Sequence, residues 1–195
     1  IDALESVVIA SRVDAPIDGR DRVIRSTMTL RLPDATRWDV RVAGRTRSVV
    51  LTSRGAFSVL EGESRPLDLE AELAVAADNW LHPLVLAAGR SDVIAVQLSP
   101  GLVRVTVDDL EDDILVGLNA DGRPDLITTQ RRRGGRVDYV AIRYSDYRET
   151  DGVMVPRQVI QTVAGVKTGT LSVERVEVDG DLSEALFTVP VESDG

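Results

Sequence analysis

The stretch Arg22-Val23-Ile24-Arg25-Ser26-Thr27-Met28-Thr29-Leu30-Arg31-Leu32 places Ile24, Met28, Leu30 and Leu32 on one parity and Arg25, Thr27, Thr29 and Arg31 on the other. A period of two is that of a β-strand with one buried and one wet face. The sheet reading spreads in both directions from there. Upstream, residues 6 to 13 are rich in Val and Ile and are broken by Asp18-Gly19. Downstream, Pro33-Asp34 ends the strand, and Trp38, Val40 and Val42 alternate with Asp39 and Arg41. A turn at Ala43-Gly44 and two further strand-like runs, 46 to 52 and 56 to 60, complete a meander of four or five antiparallel strands.

The period changes after Pro66. Leu69, Leu73, Ala76, Ala77 and Trp80 recur at helical spacing, with Asp68 and Glu70 in the first turn where they favour the helix dipole. His82 precedes a proline and is pushed out of the helical region, while Pro83 opens a second short helix that stops at Gly89. The expected insertion therefore covers about 66–89. From Val93 the strand signal returns, punctuated by Ser99-Pro100-Gly101, by the acidic run 108 to 113, and by the hairpin signal Asn119-Ala120-Asp121-Gly122. Further strands run from 126 to 131 and 137 to 147, joined through Arg132-Arg133-Gly134-Gly135. The last two, hinged at Ala164-Gly165, span 159 to 163 and 170 to 178. Leu171 and Val173 keep one parity and Val176 and Val178 the other, which predicts a bulge near Glu174-Arg175. The expectation is about ten strands interrupted once by helices, in one domain spanning 1–195.

A chain of 195 residues suits one domain that buries roughly 70% of its unfolded surface. Its recurrent apolar residue is Val, and aromatics make up only 4%, so the composition favours sheet. The 32 acidic against 23 basic residues give a net charge of −9, which disfavours nucleic acid as a partner. The chain has no cysteine, hence no disulfide, thiolate metal site or cysteine nucleophile. No apolar run is long enough to span a bilayer. The abrupt start at Ile1, almost at once inside a strand-like segment, is what removal of an export signal would leave.

Catalytic signals are thin. His82 is the sole imidazole, so a Ser-His-Asp triad or a histidine metal site would have to be built on it; before a proline it reads as a structural or surface residue. The five carboxylates of the 108 to 113 run lack the glycine and spacing of a calcium loop and read as a solvated turn. Arg131-Arg132-Arg133 reads as the solvated tip of a hairpin. Nothing marks a pair of carboxylates for glycoside chemistry. The expected reading is no enzyme, with no cofactor.

Trp38, Phe57, Trp80, Tyr139 and Tyr147 fall on elements that face a sheet's covered side, either as core or as the lining of an apolar cavity. Their context resembles a known family. The order of a strand ending at Pro33, Trp38 five residues on, a meander, a helical insertion, the Asp121-Gly122 hairpin and a closing Phe187-Thr188-Val189-Pro190 is similar to the periplasmic lipoprotein carriers, the LolA-like domains. The run Tyr144-Ser145-Asp146-Tyr147, with Asp151-Gly152 and Pro156, resembles the broader set of outer-membrane lipoprotein-sorting proteins of that superfamily.

The resemblance implies a mainly β fold with a helical insertion: a single curved antiparallel sheet forming an incomplete β-barrel covered by helices. It also implies a ligand, the acyl chain of a lipid or lipoprotein, held in the half-barrel of a periplasmic, cell-envelope or secreted protein that does not span the membrane and meets an envelope protein partner. Where the carriers place an arginine directly before the proline that ends the second long strand, this sequence has Leu32, with Arg31 one place earlier and on the opposite face. Candidate lining residues are Met28, Leu30, Leu32, Trp38, Val40, Phe57, Leu73 and Trp80. The alternative is an accessory or protein-interaction module of the same fold with a solid core and no lipid ligand.

Overall fold

The computed structural model of the chain describes residues 4–17, 20–32, 35–42, 44–68, 71, 82–87, 93–108, 110, 112–133 and 135–188. Six strands come first: β1 (Ser6–Ile17), β2 (Arg20–Arg31), β3 (Ala35–Val42), β4 (Arg45–Thr52), β5 (Gly55–Leu60) and β6 (Glu63–Pro66). A short helix, α1 (Pro83–Ala87), follows. Seven strands close the series: β7 (Val93–Ser99), β8 (Leu102–Val107), β9 (Ile114–Leu118), β10 (Pro124–Arg133), β11 (Arg136–Thr150), β12 (Val153–Val163) and β13 (Val166–Val178). All thirteen belong to one antiparallel sheet in the order β6-β5-β4-β3-β2-β1-β13-β12-β11-β10-β9-β8-β7.

That order is two meanders joined at a central seam. Each strand pairs with its sequence neighbours except at the junction of β1 with β13, while β6 and β7 stand at the two ends of the sheet, which does not close. Strand β6 was not expected: four residues ending in a proline make a weak signal, and the proline is tolerated because the strand is an edge. The bulge expected near Glu174-Arg175 is present, since Ala10 opposes Arg175 but Ser11 opposes Val173, leaving Glu174 as the extra residue. Tight turns carry the meanders. At Asp151-Gly152 both residues have positive φ, 48° and 80°, the conformation of a type I′ hairpin whose twist matches the strands.

Cross-strand register sorts the faces. Val7 opposes Leu30 and Val178, and Leu30 opposes Thr36, so these side chains share one face. Val7 and Leu30 have no exposed surface, and they cluster with Val105, Val107, Ile114, Ile127 and Val155 from the other half of the sheet. Side chains from strands so far apart in the order meet only if the sheet curls, so this face is concave. Cover by a set of helices is not what the described residues show. They hold one five-residue α-helix, α1, whose Leu84 and Val85 join the concave core, a helical Ala71 whose amide donates to the Asp68 carboxylate at 2.8 Å, and a 3-10 turn at Glu184–Leu186. The long helix expected from Leu69 to Trp80 lies almost entirely outside the described residues.

The convex face has its own small cluster, Ala35, Val50 and Phe187, with Leu182, Leu186 and Val59 against it. Phe187 of the closing motif is therefore an anchor that docks the C-terminal segment on the outside of β3 and β4. Arg31 stacks its guanidinium 4.7 Å from the Phe187 ring centroid. Arg37 donates to the Leu186 carbonyl at 2.9 Å. Leu32 packs against the concave core, so the parity expected for Arg31 and Leu32 holds.

The Tyr144 to Tyr147 run is likewise architectural. Tyr144 is buried in the concave core. Asp146 adopts φ 52° and pairs with Arg148 at 3.0 Å. The Tyr147 hydroxyl donates to the Pro124 carbonyl at 2.5 Å, tying β11 to the start of β10. Burial, reinforced by the Asp125 carboxylate and opposed by Arg123, pushes the Tyr147 hydroxyl up to about 12, so it stays a donor. Tyr147→Phe removes that bond, and a loss of about 1 kcal/mol in unfolding free energy is expected, read as a lower urea midpoint at constant slope.

Candidate functional site

Beyond the fully buried Val7–Leu30 row, the concave face opens. Successive cross-strand rows read Val176, Ile9, Met28, Trp38, then Val173, Ser11, Ser26, then Tyr144, Val159, Leu171, Val13, then Ile142, Gln161, Gly169. These rows, apart from Val176, line one cleft of about 300 Å³, together with Pro156 and with His82 at the start of α1. A volume of that order sits at the lower end for small-molecule sites. Its wall is aliphatic and aromatic, and none of its described lining residues is Asp, Glu, Lys or Arg.

The polar groups on the wall are few and neutral. The Ser11 and Ser26 hydroxyls lie 3.1 Å apart across β1 and β2, with Ser11 buried. The Gln161 side-chain oxygen accepts from the Thr168 hydroxyl at 3.2 Å. His82 caps α1: its carbonyl accepts from Val85 and Leu86, and its Nδ1 accepts the Leu84 amide at 3.3 Å. Pro83 at the first helical position needs no partner for the amide it lacks, which explains the His-Pro pair at a helix start. Burial pulls the imidazole down to about 4, so it is neutral and its proton sits on Nε2. Burial also pushes the Tyr144 phenol upward.

Of the candidate lining residues, Met28 and Trp38 are brought together as direct cross-strand partners on the cleft wall. Leu30 is fully buried in the core beneath the cleft, and Leu32 packs beside it. Val40 shares the parity of Trp38 on β3 and opposes Ser26. Phe57 opposes Val50, which opposes Arg37, so the register puts it on the convex side. Leu73 and Trp80 lie outside the described residues. Sequence reasoning missed the contributions of β1, β12 and β13. Their concave positions are Ile9, Ser11 and Val13, Val159 and Gln161, and Gly169, Leu171 and Val173. On β13, the parity of Leu171 and Val173 was the available signal.

Among the described residues no cluster of three or more His, Asp or Glu could hold an ion. Asp113 instead accepts from Thr106 at 2.6 Å and faces Arg104 at 3.7 Å. On the concave parity of the β10–β11 hairpin, Arg131 opposes Asp138. No helix among the described residues is long and apolar enough to cross a membrane.

Among solved structures, the chain is similar to a LolA superfamily protein from Nitrosomonas europaea, with a TM-score of 0.63 and 18% identity over 94% of this chain and 89% of that one. It is similar to an outer membrane lipoprotein-sorting protein domain from Vibrio parahaemolyticus, with a TM-score of 0.60 and 11% identity over 95% of this chain and 90% of that one. A DUF1329 family protein from Desulfovibrio piger matches with a TM-score of 0.55 and 14% identity over 96% and 91% of the two chains. No family model matches the sequence, and no curated protein matches it. The fold is LolA-like.

Proposed function

We propose that this chain is a non-catalytic binding domain that holds an apolar chain, of a lipid or of an acylated lipoprotein, in the cleft of its concave face. The observation that carries the reading is the cleft itself: a curled sheet leaves about 300 Å³ unfilled between Met28, Trp38, Tyr144 and Leu171, with no charged side chain among its described lining residues. Apolar walls with a few fixed polar groups are the usual make-up of a small-molecule site. The likeness to a lipoprotein-sorting domain supports an acyl ligand. An exported protein of the periplasm or envelope, meeting its ligand at a membrane surface or on a protein partner, fits the same reading. Met28 and Trp38 are the residues of the original set that we assign to ligand contact.

The test is titration of the delipidated protein with diphenylhexatriene, a hydrocarbon that fluoresces when it leaves water. Saturable fluorescence at one site is expected, and alkyl alcohols of increasing length should compete with it. Each buried methylene contributes about 0.8 kcal/mol, so competition should tighten about fourfold per carbon and then level off when the cleft is full. A protein that shows no saturable signal has a solid interior, and the accessory-module reading replaces this one.

A further inference from the structure

We infer that the cleft selects electrically neutral chains, bearing an ester, amide or alcohol, over free carboxylates, and that the Ser11–Ser26 hydroxyl pair sets this preference. The inference rests on the binding reading above and deepens it. The two serines lie in a single cross-strand row, and the rows on either side hold Ile9, Met28 and Trp38, and Val13, Leu171 and Tyr144. A polar group is therefore set inside the apolar wall, away from either of its ends. In a hydroxyl pair at 3.1 Å one O–H is used on the partner oxygen, and the second O–H and the remaining lone pairs are left for another group.

What such a pair can satisfy is one uncharged oxygen. An ester carbonyl accepts a single donor, and an alcohol both donates and accepts. A carboxylate needs more. Moving an ion into an apolar site without a countercharge or several donors is strongly unfavourable. No Lys or Arg lines the cleft among the described residues, and His82 is held neutral with its Nδ1 already accepting from Leu84. Gln161, whose amide oxygen takes the Thr168 hydroxyl, adds another neutral group at the next polar row.

The experiment displaces diphenylhexatriene from the delipidated protein with methyl decanoate, decanol and decanoate at about pH 8, where the free acid is ionised. Methyl decanoate and decanol are expected to compete at concentrations at least tenfold below decanoate. In Ser11→Ala/Ser26→Ala, where both polar partners are removed together, the affinity of the ester relative to that of diphenylhexatriene should fall about threefold to tenfold. Circular dichroism reports whether that variant folds; if it does not, Ser26→Ala with Ser26→Thr as the hydroxyl-restoring control gives the same comparison. Decanoate competing as well as the ester, or an ester affinity indifferent to the serines, overturns the selectivity while the binding site stands. Absence of saturable diphenylhexatriene binding overturns the site and the selectivity with it.

Discussion

Gly169→Phe is expected to close the cleft and weaken diphenylhexatriene by about a hundredfold without unfolding the protein. Gly169 stands on the concave row with Gln161 and Ile142 and contributes no side chain to the wall. A Cβ placed there would lie 3.9 Å from the Asp14 carbonyl and from a Val13 methyl, ordinary contact distances, and its backbone is not in the left-handed region. A benzyl group would therefore enter the open space ahead of it. If it displaces roughly four methylenes of ligand at ~0.8 kcal/mol each, the loss is about 3 kcal/mol, or two orders of magnitude in affinity. Glycine inside a strand costs about 0.5 to 1 kcal/mol relative to residues with a side chain, so the melting temperature should hold or rise. Gly169→Ala supplies the control, with binding near that of the unaltered protein. A folded Gly169→Phe protein that binds as before would place the ligand elsewhere.

The choice of Gly169 shows where sequence reasoning stopped. The alternation in β2 was legible because one of its faces carries only Arg25, Thr27, Thr29 and Arg31, and it led directly to Met28 and its neighbour Trp38. In β1 the consecutive Val7, Val8, Ile9 and Ala10 carry no clear period, because a strand in the middle of the sheet is at least half-buried on both faces at these positions. Nothing local to either end of the chain announces that Ser11 will sit opposite Val173, since that pairing joins strands separated by the whole length of the molecule. The seam between β1 and β13 is thus a property of the whole strand order, and the cleft lies along it.

Phe57 illustrates the second kind of miss. Its strand was found, but its face depends on the lengths of the turns between β3, β4 and β5, and a shift of one residue sends a side chain to the other side of the sheet. The pairs Arg37–Val50–Phe57 carry it to the convex side, where the C-terminal segment covers the neighbouring Val50 and Ala35. By contrast, the motifs that carried the resemblance proved to be the parts that hold the sheet in shape. Tyr147 bonds across to β10, Asp151-Gly152 makes the turn, and Phe187 pins the tail, while Tyr144 and Pro156 are motif residues that also reach the cleft. A motif can therefore specify this fold while saying little about what the fold holds.

Acidification should destabilise the protein through His82, by up to roughly 3 kcal/mol between about pH 7 and pH 4, and His82→Asn should remove that component. The imidazole is drawn from the ordinary 6.5 to about 4 by burial. Between those values the unfolded chain binds a proton that the folded chain does not, so stability rises with pH there and falls as the solution is made acid. The structural reason is specific. Protonation occupies Nδ1, the atom that accepts the Leu84 amide, and so breaks the cap of α1 while forcing a charge into the cleft wall. Leu84 and Val85 are the helix's contribution to the concave core, so loss of the cap is felt in packing as well as in one hydrogen bond. Asparagine is a good cap and does not titrate, which separates the proton from the geometry. The measurement is the urea unfolding free energy of the two proteins at both pH values. Carboxylates common to both cancel in the difference, so the gap between them should open in favour of His82→Asn as the pH drops. Parallel losses in the two proteins would mean that the imidazole is solvated and titrates as it does in the unfolded chain.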